Sequence, residues 1–136
     1  RSKNYIESHD DNKLESIEVK SSSEILDKIK NCDVVAIDEA QFFDTDLVEV
    51  ASELAGRGIR VILAGLDMDY TGAPFGPMPA LLASAEYVSK VHAICVSCGN
   101  LAQFSNRLVA DTDQVMLGAV EEYRPLCRSC FNKSSS

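Results

Sequence analysis

Apolar positions along this chain follow two different periods, and the switches between them mark out most of its elements. Residues 34–37, Val-Val-Ala-Ile, form a short apolar run rich in β-branched residues, the pattern of a strand buried on both faces of a parallel sheet. Residues 59–64, Ile-Arg-Val-Ile-Leu-Ala, read the same way. Between them Leu47, Val48, Ala51, Leu54 and Ala55 recur at helical spacing, with Asp44 or Thr45 as a cap and Gly56 and Gly58 as the stop. Strand, short helix and strand make a right-handed βαβ unit, so the two strands are expected to run parallel. Upstream, Ser21-Ser22-Ser23-Glu24 matches a capping box ahead of a stripe of Ile25, Leu26 and Ile29. Ile17-Glu18-Val19 alternates like a short strand, and residues 1–13 are polar enough to read as a loop. Residues 65–79 hold three Gly and three Pro, which excludes regular structure. A helix resumes at Pro79-Ala80-Leu81-Leu82, and residues 88–95 read as a third strand.

Composition narrows the class. The chain has 136 residues, 46% hydrophobic and 25% charged, enough for one core and a small appendage. No apolar run approaches the roughly 20 residues of a membrane span, so no membrane partner is expected. The first residue is Arg1 rather than Met, and the chain is read as lacking its N-terminus. Thirteen basic against 21 acidic residues leave a net charge of −8, which weighs against nucleic acid as the main partner.

Chemistry concentrates at two places. Asp38 and Glu39 follow the first buried strand at once, and ligands of open α/β sheets sit at the carboxyl ends of strands. Successive side chains point to opposite faces, so the two acids cannot share one task. One can hold a divalent cation while the other accepts a proton or orients water. Read alone, the same pair could instead open the next helix, where acids complement the dipole. The loop at residues 65–79 places Tyr70 and Phe75 beside this edge, as a candidate substrate wall or lid.

The second place is Cys95-Val96-Ser97-Cys98 with Cys127-Arg128-Ser129-Cys130. Four thiolates in two CxxC knuckles suit tetrahedral Zn²⁺ at Zn–S distances of about 2.3 Å, and a closed sulfur set leaves no open position, so the metal is expected to be structural. The two pairs close a segment of 28 residues, Gly99 to Leu126, whose one strong apolar cluster is Val115-Met116-Leu117 before Gly118. A metal at its base would fix where its tip lies. Lone Cys32 is expected to be a buried small hydrophobe, and the cysteine usage points to a reducing compartment.

Residues 37–43 (Ile-Asp-Glu-Ala-Gln-Phe-Phe), Leu66-Asp67, Pro74-Phe75-Gly76, the paired knuckles and residues 121–127 (Glu-Glu-Tyr-Arg-Pro-Leu-Cys) together resemble the zinc-containing, cytosolic type of thymidine kinase. The resemblance covers nearly the whole chain. It implies an α/β fold with a P-loop-type, RecA-like parallel sheet over residues 1–91, and a zinc-ribbon subdomain carrying a substrate lasso over residues 92–133. Residues 134–136 would be a disordered tail. It further implies transfer of the γ-phosphoryl of ATP to the 5′-hydroxyl of thymidine, Mg²⁺ accompanying ATP, dTTP as feedback inhibitor, a homotetramer and a cytoplasmic location. On matching positions, Glu39 resembles the catalytic base and Asp38 the Mg²⁺-associated acid. Phe42, Leu66, Tyr70 and Phe75 resemble the base-pocket wall, and Ser105, Met116, Gly118 and Tyr123 fall on the lasso. One departure is large: no Gly-rich loop ending in Gly-Lys-Ser/Thr is present, and the family places it upstream of Arg1. This chain by itself is therefore expected to be inactive. Two other readings remain open on the residues alone, an ATPase-like module using the paired acids and a zinc-ribbon interaction protein.

Overall fold

The computed structural model describes residues 4–7, 13–108 and 123–135. Its centre is the expected βαβ unit: β3 (Val34–Ile37), α2 (Leu47–Gly56) and β4 (Arg60–Leu63), with Val34 opposite Arg60 and Ile37 opposite Leu63 in a parallel ladder. The ladder continues past the strand ends, where the Ala64 N–H donates to Ile37 O and the Ala40 N–H to Ala64 O, each at 2.9 Å. Helix α2 ends in a Schellman motif: Gly58 N–H reaches Ala55 O at 3.0 Å and Ile59 N–H reaches Leu54 O at 3.1 Å.

The two strands are buried on one face only, which corrects the expectation of two. Val35, Ile37, Val61 and Leu63 turn toward α1 (Ser22–Lys28), α2 and α3 (Met78–Ser84), and pack with Ile25, Leu47, Val50, Leu54 and Leu81. Val34 and Ile62, on the alternate positions, are half exposed.

Other expectations shift by an element. Residues 1–13 are not all loop: β1 (Asn4–Glu7) pairs antiparallel with β2 (Lys13–Ser16), while Ile17 to Val19 lie just past that hairpin. The capping box forms only in part. Ser21 makes no side-chain cap, and Glu24 accepts from the Lys20 N–H at 3.3 Å. The start of α2 is tied instead by Asp44, whose carboxylate accepts from the N–H groups of Ser22 and Asp46, each at 3.1 Å. The third strand shrinks to β5 (Ala93–Ile94), paired with β6 (Leu101–Ala102) and not with the parallel sheet. Tyr87 and Val91 before it are almost fully exposed. Strand β7 (Phe104–Arg107) pairs antiparallel with β8 (Tyr123–Leu126), so the segment between the cysteine pairs has a laddered stem. Helix α4 (Arg128–Ser134) takes in Ser134, and the Ser135 N–H closes on Phe131 O at 3.2 Å. Cys32 is half-buried rather than buried.

Candidate functional site

The edge of the parallel sheet separates its two acids. Asp38 borders a shallow depression of about 290 Å³ with Ala36, Ile37, Ile62 and Ala64, on the open side of the sheet. Its Oδ1 accepts from the Glu39 N–H at 2.8 Å, and the chain then reverses. Glu39 sits in the left-handed region at φ 53° and ψ 41°, a conformation that a non-glycine residue holds only when its surroundings compel it. It opens a 3₁₀ turn, Ala40–Phe42, but its side chain does not cap that turn. Its carboxylate is hydrogen-bonded by the Gln41 Nε2 instead. This geometry argues against the pair serving merely as helix-start charges.

Three of the residues expected to wall a substrate, Phe42, Phe75 and Leu66, lie on or against the turn that Glu39 opens. Phe42 is 71% exposed and meets Phe75 edge to face, with ring centroids 5.5 Å apart at 89°. The Leu66 N–H donates to Gln41 Oε1 at 3.1 Å. Gly76 lies at φ +48°, where a Cβ would come within 2.4 Å of the Gln41 carbonyl oxygen. The loop from residue 65 is shaped by Asp69, whose Oδ1 accepts from Thr71 Oγ1 at 2.5 Å, Thr71 N at 2.9 Å and Ala73 N at 3.2 Å. These bonds, that of the Thr71 hydroxyl foremost, hold the Asp69 carboxyl below its ordinary 3.8. Asp67 pairs with Lys90 Nζ at 2.9 Å.

The loop also docks on the cysteine subdomain. The Arg107 guanidinium lies 5.3 Å from the Tyr70 ring centroid. Gly72 faces Phe104, which stacks on Phe131 at 4.4 Å and carries the Arg128 guanidinium at 5.3 Å. Ser105 is half-buried on β7 opposite Pro125, and Tyr123 lies opposite Arg107 on β8. Met116 and Gly118 lie outside the described residues. Sequence reasoning did not single out Gln41, Asp69, Phe104 or Arg107.

All four predicted cysteine ligands converge: the Sγ atoms of Cys95, Cys98, Cys127 and Cys130 lie within 4.8 Å of one another, and Cys98 and Cys127 are 3.6 Å apart. Four sulfurs about 2.3 Å from one tetrahedral ion would be about 3.8 Å apart, so the set fits a metal ion. Each pair sits on a turn: Cys95 N–H donates to Asn100 O at 2.7 Å, Gly99 N–H to Cys95 O at 2.9 Å, and Cys130 N–H to Cys127 Sγ at 3.5 Å. Main-chain donation from Cys127 lowers the Cys95 thiol to about 6, whereas the neighbouring Cys127 and Cys98 sulfurs push Cys130 up to about 12. Four sulfurs this close cannot all ionise without a cation among them.

Fold and site thus define an α/β protein with a cluster of four cysteines that could hold a metal ion. A family model described as thymidine kinase matches residues 1–131. The chain is 57% identical over 127 residues to a thymidine kinase of Bacteroides fragilis (strain YCH46), covering 93% of this chain and 64% of that protein. It is 57% identical over 129 residues to one of Porphyromonas gingivalis (strain W83), covering 95% and 63%. With the enzyme of Rhodothermus sp. (strain ITI 518) the identity is 53% over 124 residues, covering 91% and 58%. The chain belongs to the thymidine kinase family. It spans somewhat less than two thirds of the length of these curated relatives.

Proposed function

We propose that the full-length protein transfers the γ-phosphoryl group of ATP to the 5′-hydroxyl of thymidine, giving dTMP, with Glu39 as the base that accepts the hydroxyl proton. The observation that carries this is Glu39 itself: a carboxylate at the carboxyl edge of β3, held in a left-handed backbone on a turn whose Phe42 meets Phe75 and whose Gln41 joins Glu39 to the Leu66 N–H. A base must be fixed within hydrogen-bond reach of the proton it takes, and an apolar wall keeps competing water from the acceptor. Phe42, Leu66, Tyr70 and Phe75 wall the nucleobase, while Ser105, Met116, Gly118 and Tyr123 belong to the lasso that reads its edge, largely through main-chain groups.

Asp38, turned to the open face of the sheet, is the residue through which Mg²⁺ with ATP would be held; that ion supplies neutralisation of charge on the phosphates. Cys95, Cys98, Cys127 and Cys130 would hold one structural Zn²⁺, which fixes β7 and β8 at the base of the lasso. No helix among the described residues is long and apolar enough to cross a membrane; a cytoplasmic location, a homotetramer and inhibition by dTTP complete the proposal. The division at residues 91 and 92, between the P-loop-type core and the zinc ribbon, belongs to it as well.

The test is Glu39→Gln in the full-length, zinc-replete protein. It keeps the side-chain size and removes the basic oxygen, so kcat falls on the order of 10²- to 10⁴-fold. Thymidine affinity by calorimetry stays within a few-fold. Normal turnover by this variant would remove Glu39 from the role of base.

A further inference from the structure

Among the described residues, Gln41 is the one polar side chain buried at the sheet edge beside the proposed base, only 2% exposed on a turn whose neighbour Phe42 faces solvent. Burying a carboxamide is unfavourable unless its hydrogen bonds are made, and here both ends are used. Nε2 donates to the Glu39 carboxylate, and Oε1 accepts from the Leu66 N–H at 3.1 Å. The orientation of the amide is forced, because a main-chain N–H can only donate and an ionised carboxylate can only accept. Glycines at two positions leave space for this arrangement. A Cβ on Gly65 would come within 2.8 Å of its Oε1, and one on Gly76 within 2.4 Å of its main-chain oxygen.

From this arrangement we infer that Gln41 is a positioning residue, which holds the Glu39 carboxylate in its working orientation and locks it to the Leu66 wall through a single side chain. The inference rests on the reading of Glu39 as base. The Glu39 backbone is left-handed and its side chain makes no cap bond to the turn that it opens. The bond from Gln41 fixes that side chain, and the other end of the amide ties the same group to the wall.

Gln41→Glu separates the two bonds: it keeps an acceptor for the Leu66 N–H and replaces the donor to Glu39 with a second carboxylate. In the full-length, zinc-replete protein kcat is expected to fall about 10- to 100-fold, the scale of a misplaced catalytic group, with thymidine Kd held within about 3-fold. Gln41→Met loses both bonds, so kcat falls and thymidine Kd rises as well. The deciding measurement repeats Gln41→Glu in a Glu39→Gln background, where no base remains to be oriented; the further loss should then be under about 3-fold. Unchanged kcat in Gln41→Glu, or a full loss in both backgrounds, overturns the positioning role while leaving Glu39 as base. Normal turnover by Glu39→Gln alone would instead overturn the base reading. If Gln41→Met fails to fold, the nearly isosteric Gln41→Glu pair still decides.

Discussion

Replacing Gly76 with Ala adds one methyl group at the tightest point of the site. The new Cβ would lie 2.4 Å from the Gln41 carbonyl oxygen, and relief to the 3.0 Å that real contacts respect demands about 0.6 Å of backbone movement. The carbonyl belongs to a turn pinned by the Ala40–Ala64 and Phe43–Ala40 hydrogen bonds, so it cannot yield freely. Forced overpacking of this kind costs about 1–3 kcal/mol. The φ of +48° adds about 1–2 kcal/mol, because an L side chain crowds the following carbonyl there. A total near 3 kcal/mol should lower Tm by about 10 °C in a domain of this size. The movement falls on the main chain of Gln41, so kcat with thymidine should drop about 10- to 100-fold besides. Gly56→Ala is the matched control, since nothing lies within 4 Å of a Cβ at the end of α2. It should be neutral or stabilising by less than about 1 kcal/mol. Thermal unfolding and steady-state kinetics of the two full-length variants answer the question together. A Gly76→Ala protein melting within about 2 °C of its parent, with kcat unchanged, would refute the close approach and the strain argued from it.

Two further outcomes are expected. Removing the metal with a chelator, or by Cys130→Ser, should weaken thymidine binding more than binding of an ATP analogue, because Phe131 beside that ligand stacks on Phe104 under Gly72; equal losses by calorimetry would indicate global unfolding instead. Asp69→Ala should lower Tm at neutral pH by releasing the Thr71 and Ala73 bonds. Since the folded Asp69 carboxyl titrates below its ordinary 3.8, its contribution is present above that value and disappears as pH falls through the folded one, so melting curves of parent and variant should converge at acid pH.

The βαβ unit was legible because each of its parts carries a local signal: a β-branched run, a helical stripe and a glycine that can take φ +82° for the Schellman turn. The four cysteines were legible because the spacing of a knuckle is itself geometric. The hairpin of β1 and β2 was not, since residues 4–7 and 13–16 are mostly polar and carry little hydrophobic periodicity. Residues 88–95 misled in the opposite way, offering Val88, Val91 and Ile94 as an apolar run although only Ala93 and Ile94 form a strand. At the candidate site, Asp38 and Glu39 were singled out by their place after β3. Gln41 was hidden because only the left-handed turn at Glu39 brings its amide back onto the residue two before it. The Asp69 turn could have been read from Asp-Tyr-Thr-Gly, where an acid precedes a hydroxyl by two residues.

The loop over residues 65–77 is held by hydrogen bonds to its main chain and by the Asp69 carboxylate. Its contacts to Gln41, to the Asp69 carboxylate and to the Phe104 ring run through main-chain atoms, the Thr71 hydroxyl and the missing side chains of Gly72 and Gly76. Leu66 and Tyr70, by contrast, leave about half of their side-chain surface exposed, 48% and 47%. For protein engineering, holder and insert are thus separable. A library aimed at altered nucleoside preference should vary Leu66 and Tyr70 while leaving the glycines and Asp69 untouched. Most of its members should still fold, because the loop's hydrogen bonds run through Asp69, Thr71 and the main chain rather than through the Leu66 and Tyr70 side chains proposed to meet the base.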